Sequence, residues 1–155
     1  MRTILKLGLA GVCLAGIAVA AAHAGGVAPM DVKFTDNGVE ASLTGGAGDA
    51  AKGRAVFSNR KLGNCLACHV NAEQKEHSFH GEVGPPLDGV ADRYSEAELR
   101  AIVINSKKAL TEETLMPGFY SLELGARVGK KFADKTILTA EQVEDVVAYL
   151  ATLKE

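Results

Sequence analysis

Apolar residues recur at helical spacing in three stretches of the chain, and each stretch carries its own start signal. Asp49 follows the punctuation Gly45-Gly46-Ala47-Gly48 and can N-cap a helix to about Ser58, with Val56 and Phe57 facing a core. Ser95-Glu96-Ala97-Glu98 is a capping box ahead of Leu99, Ile102 and Val103, which predicts an amphipathic helix over 96–106. Thr139-Ala140-Glu141-Gln142 is a second capping box. Val143, Val146, Val147 and Leu150 after it mark the buried face of a helix over 140–153, flanked by Tyr149. Gly53 costs stability inside the first helix, and a close crossing by another helix would explain it. Between the helices lie polar loops at 59–64, 70–83 and 121–138, the last with basic points at Arg127, Lys130 and Lys131. Thr111 is expected to open a further turn. Residues 25–47 show no clear period. Val32-Lys33-Phe34 and Val39–Leu43 suggest short extended pieces around a turn at Asp36-Asn37-Gly38. The pattern is all-α.

The uncharged run from Leu7 to Ala22 changes the picture at the N-terminus. It follows Arg2 and Lys6 and ends in Ala22-His23-Ala24, so residues 1–24 read as a cleaved secretory signal peptide, with a retained anchor as the alternative. Cys13 lies inside that run and leaves with it; a lipoprotein reading is weak because Val12 precedes it. The expected organisation is a signal peptide at 1–24, an N-terminal arm at 25–47 that contacts a partner, with a loose arm as the alternative, and one domain at 48–155. Losing Arg2 and Lys6 from 17 basic residues leaves 15 against 19 acidic ones, a net charge of −4. Mild acidity speaks against nucleic acid as a partner, and no later apolar run is long enough to span a membrane. The expected location is the periplasm.

The chemistry concentrates in Cys65-Leu66-Ala67-Cys68-His69. Two cysteines three residues apart with a histidine immediately after form the attachment signature of a c-type haem. One helical turn puts both thiols on one side, where they can add to the two porphyrin vinyl groups, and His69 can bind the iron. A thioredoxin-like pair would need a strand–helix setting. A zinc site from Cys65, Cys68, His77 and His80 has spacings shorter than the usual finger. His77 and His80 otherwise read as surface histidines. A chance match is the remaining alternative.

A metal-bound histidine needs a partner for its second ring N–H. The turn Gly84-Pro85-Pro86-Leu87 can offer the Pro85 carbonyl, because prolines fix the backbone and leave carbonyls free. Met116 is the candidate for the other axial position. Its thioether is soft and raises the potential, and Pro117-Gly118 puts it on a loop. Met30 competes, and core filling is the plain alternative for Met116. After processing, Cys65 and Cys68 are the whole cysteine complement, so haem attachment would leave the chain no thiol of its own.

With these residues the chain resembles the class I c-type cytochromes from about Gly48 to its end. Gly53 and Phe57 fall at the packing positions of that family's first helix, and Asp145–Leu150 resembles the last helix, which crosses the first around a covalent haem. Gly63–His69, Met116–Tyr120, Leu138–Leu150 and Ser42–Gly45 further resemble the SoxX-type cytochromes of sulfur oxidation. The resemblance implies one haem c on Cys65 and Cys68, axial ligands His69 and Met116, and the Pro85 carbonyl on His69. It also implies a SoxA-type haem subunit as partner, with transient contacts to a SoxYZ-type carrier and an electron acceptor. The implied activity is electron transfer within an L-cysteine S-thiosulfotransferase that couples thiosulfate to a carrier cysteine, with no catalysis by this chain alone. A free-standing soluble electron carrier is the alternative. A gas sensor or peroxidase would need an open iron, which Met116 argues against.

Overall fold

Asp49 caps the first helix as its position implies: its carboxylate accepts from the Ala51 and Lys52 amides, and α1 runs Ala50–Ser58. A computed structural model describes residues 26–155 of the chain; the signal-peptide reading lies outside the described residues. Three further α-helices follow, α2 (Val90–Arg93), α3 (Glu96–Ala109) and α4 (Ala140–Leu150), with four 3-10 turns between and before them. Among the described residues there is no strand, only an isolated antiparallel bridge between Thr35 and Gly38, and no helix is long and apolar enough to cross a membrane.

Both capping boxes close reciprocally. Ser95 accepts from the Glu98 amide while Glu98 bonds back to the Ser95 backbone, and Thr139 and Gln142 do the same. The fourth helix ends at Leu150, shorter than the expected 153. Ala151 and Thr152 turn instead, and Leu153 returns to the core.

The frame is the crossing of α1 on α4. A Cβ on Gly53 would stand 1.8 Å from the Asp145 carbonyl oxygen, so the two backbones touch there. Phe57 meets Tyr149 edge-on, with ring centroids 5.4 Å apart. The Asp145 carboxylate accepts from the Asp49 amide at 2.7 Å. Val143, Val146, Val147 and Leu150 are all buried, as their spacing predicts. Gly53→Ala therefore sets two effects against each other. Helix propensity favours Ala by about 0.5–1 kcal/mol, while overpacking a tight contact costs about 1–3 kcal/mol. Steric overlap with backbone cannot be relieved by a rotamer, so net destabilisation is expected, read as a lower urea midpoint at unchanged slope. A raised midpoint would contradict the crossing.

The segment before α1 is bolted onto the domain. Val39 and Leu43 are buried in the core, at 3% and 2% exposure. Arg100 of α3 pairs with Glu144 of α4 at 2.9 Å, and both are almost fully buried. Arg100 also donates to the Val39 carbonyl, and Glu144 accepts from the Leu43 amide. Tyr120 donates to the Val27 carbonyl at 2.8 Å. Met30, at 72% exposure, remains on the outer side of the same segment.

Candidate functional site

Cys65–Ala67 form a 3-10 turn that opens from Asn64 in the left-handed region. The Cys65 carbonyl accepts from both the Cys68 and His69 amides, at 3.0 and 2.9 Å. One carbonyl thus draws the pentapeptide into a single turn. The flanks are turns, in keeping with the polar loops expected at 59–64 and 70–83, and among the described residues no strand adjoins them. The two cysteines are not joined in a disulfide. Cys65 packs against the core and Cys68 is exposed. Burial pushes the Cys65 thiol up to about 12, which disfavours the thiolate that redox exchange would need.

His69 is boxed by the Gly84–Leu87 turn. Its Nδ1 lies 2.7 Å from the Pro85 carbonyl oxygen. A protonated Nδ1 donating there leaves Nε2 as the free lone pair. A Cβ on Gly84 would come within 2.3 Å of the ring, so only glycine lets the turn lie flat on the imidazole. The turn is itself braced. Gly84 donates to the Cys68 carbonyl and Leu87 to the Val70 carbonyl. Arg93 of α2 donates to the carbonyls of Pro86 and Asp88 at 2.8 and 2.7 Å, and the Asp88 carboxylate accepts from Ala72. The glycine and prolines pointed to this turn in the sequence; Arg93 carried no local signal.

The loop behind the pentapeptide is held by a buried polar network. The Tyr149 hydroxyl accepts from Asn71 Nδ2 and Gln74 Nε2 at 2.8 and 2.9 Å and donates to Glu73. Arg54 of α1 pairs with Glu73 and Glu76. Burial first, and then the Glu73 bond, push the Tyr149 phenol up to about 12. A raised acid contributes its stability in full below its unfolded value near ~10 and loses it as pH climbs through the folded value. The alkaline window of about 10–12 is where this brace weakens.

His80 belongs to the same loop. Its Nδ1 accepts from the Asn71 amide and its Nε2 faces the Gln74 carbonyl. Both nitrogens are therefore engaged, and His80 is half-buried rather than a plain surface residue. His77 is exposed beside Glu76. Among the described residues no group of three or more His, Cys, Asp or Glu is placed to hold a metal ion, so the zinc quartet does not assemble.

Met116 lies on a separate loop and packs against the core. That loop docks on a break in α3. Asn105 leaves the helical region at φ −152°, ψ 92°. The carbonyls of Val103 and Ile104 accept from the Phe119 and Tyr120 amides, both at 3.1 Å. Nothing in the apolar spacing of 96–106 signals this break.

The residues fit a covalently attached haem. Two unpaired cysteines share one turn, a histidine presents a single free nitrogen with its other side tied to a carbonyl, and a glycine clears the space against its ring. Soft sulfur and imidazole form a donor set suited to haem iron.

The cytochrome c family model matches residues 50–154 of this chain. The chain is similar to one in the crystal structure of SoxXA from P. pantotrophus, with 44% identity and a TM-score of 0.77 over 84% of this chain and 99% of that one. It is also similar to ferric cytochrome c-550 from Paracoccus versutus, at 27% identity over 70% of this chain and 99% of that one, TM-score 0.39. Cytochrome c2 from Paracoccus denitrificans is 25% identical over 69% of this chain and 97% of that one, TM-score 0.39. No curated protein sequence matches significantly.

Proposed function

The chain belongs to the cytochrome c family and is SoxX-like, with one covalently bound haem c, and we propose that it is the monohaem subunit of a periplasmic SoxAX-type thiosulfate-oxidising complex. The observation that carries the proposal is the 44% identity over nearly the whole of a SoxXA chain. In this reading Cys65 and Cys68 hold the haem as thioethers, and His69 and Met116 are its axial ligands. The Pro85 carbonyl orients His69 and raises its basicity as a ligand. When bound, the haem supplies a one-electron redox couple.

Joining thiosulfate to a thiol forms one S–S bond and releases a proton and two electrons. Once the signal peptide with Cys13 is removed, this chain has both remaining cysteines committed to haem and no thiol to take part in that bond. The cysteine chemistry then belongs to the carrier and to the SoxA-type subunit, and this chain receives electrons and passes them to an acceptor.

The test is the state of the protein in its host. Cells grown on thiosulfate should yield the chain in a complex with a second haem-bearing polypeptide. Recovery as a lone monomer under the same conditions would overturn the subunit reading in favour of a free electron carrier.

A further inference from the structure

We infer that Asn105, Ser106 and Lys107, three consecutive residues at the break in α3, are positioning residues for the Met116 sulfur; the inference rests on Met116 being an axial ligand. Their bonds bracket that side chain in sequence. Lys107 Nζ donates to the Glu112 and Thr114 carbonyls at 3.0 and 2.7 Å, just ahead of Met116. Ser106 Oγ donates to the carbonyl of Met116 itself at 2.6 Å. Asn105 Nδ2 donates to Ser121 Oγ at 3.4 Å, just behind it.

The break is what makes these bonds available. In an unbroken helix the Val103 and Ile104 carbonyls would take amides four residues on. At Asn105 the chain leaves that path, and the Asn105 side-chain oxygen takes the Lys107 amide instead. The two carbonyls then accept from Phe119 and Tyr120. No proline causes this kink, and Ser106 is completely buried, at 0% exposure. A helix that gives up regularity and buries a hydroxyl does so here for one loop. Every polar anchor goes to that loop's backbone or to Ser121, and none goes to the thioether. The backbone is held and the sulfur is left free to point.

An external ligand can bind the iron only when the methionine lets go. Its apparent affinity therefore equals its intrinsic affinity scaled by the fraction of chains with the sulfur off. Weakening the anchors raises that fraction. Losing an ordinary hydrogen bond is worth about fivefold and a charge-assisted one about tenfold or more.

The experiment is an imidazole titration of the full-length ferric holoprotein, followed in the visible spectrum and in the weak near-infrared band of methionine-bound ferric haem. Ser106→Ala should tighten imidazole about fivefold, and Lys107→Met about tenfold. Lys107→Arg, which keeps a cation able to reach both carbonyls, should restore native affinity. Lys107 is exposed, so its variants keep the fold. Native imidazole affinity in both Ser106→Ala and Lys107→Met would overturn the inference, whatever happens to thermal stability. A Met116→Ala control separates the two readings. If that variant keeps the near-infrared band, the ligand assignment has failed and the inference with it. If it loses the band while the other variants behave as native, the inference alone has failed.

Discussion

A Glu144→Ala protein is expected to unfold about 10–20 °C below the native one, equivalent to roughly 3–5 kcal/mol for a domain of this size. The substitution leaves the Arg100 guanidinium buried without its 2.9 Å partner. The other carboxylate near it, Glu96, stands 4.0 Å away and is mostly exposed. It also strips the Leu43 amide of its acceptor in the core. Breaking one half of a buried pair costs far more than the pair contributes against an apolar replacement, because the charge left behind has lost its water. Arg100→Met combined with Glu144→Leu should therefore recover a good part of the loss. It should stay short of native, since the Val39 carbonyl and the Leu43 amide remain without partners. Calorimetry on the single and double variants reads both numbers. A single variant within about 1 kcal/mol of native would show that the pair does not tie the N-terminal segment down.

Met116→Ala is expected to open the iron. The ferrous protein should bind carbon monoxide rapidly without denaturant, the near-infrared band should vanish, and the potential should fall by roughly 0.1–0.2 V, part of the about 0.8 V span that axial ligation covers. The loop should keep its course, because Ser106 holds the Met116 carbonyl and not its side chain, and Phe119 and Tyr120 remain bonded to α3. The change thus reports the loss of sulfur rather than the collapse of a loop. Met30 offers no replacement in the described fold, as it lies 72% exposed on the segment before α1. An unchanged band in Met116→Ala would place the ligand elsewhere.

What could be foreseen from the chain was what is local. Asp49, Ser95 and Thr139 announce their helices because a cap is a bond between near neighbours, and the valines of α4 announce its buried face through their spacing. Gly53 was legible through its cost: an expensive residue in a helix implies a close neighbour, and Asp145 is that neighbour. Cys65, Cys68 and His69 are a motif with one common chemistry, and Pro85 could be reached from the needs of a metal-bound histidine.

The features that escaped are the ones whose partners are far away. Arg100 and Glu144 carry no local signal, because their pairing exists only once α3 and α4 are brought together. The Asn105 break is dictated by Phe119 and Tyr120, which lie outside the helix. Tyr149 looked like a flank of the apolar face, and is the hub joining Asn71, Gln74 and Glu73. His80 read as a surface residue because its two partners, Asn71 and Gln74, become a clamp only once the loop has curled.

The hold of α4 on the segment just before α1 has a bearing on the order of assembly. The bonds from Leu43 and Asp49 reach residues 101 and 96 positions later, at Glu144 and Asp145. Closing such long loops costs entropy before it returns contacts, which makes them late events in folding. In a chain that emerges from its N-terminus, the clamp cannot shut until Glu144 and Asp145 are present. The Cys65–His69 turn lies between the two jaws, so it stays unclamped until both of those bonds are made.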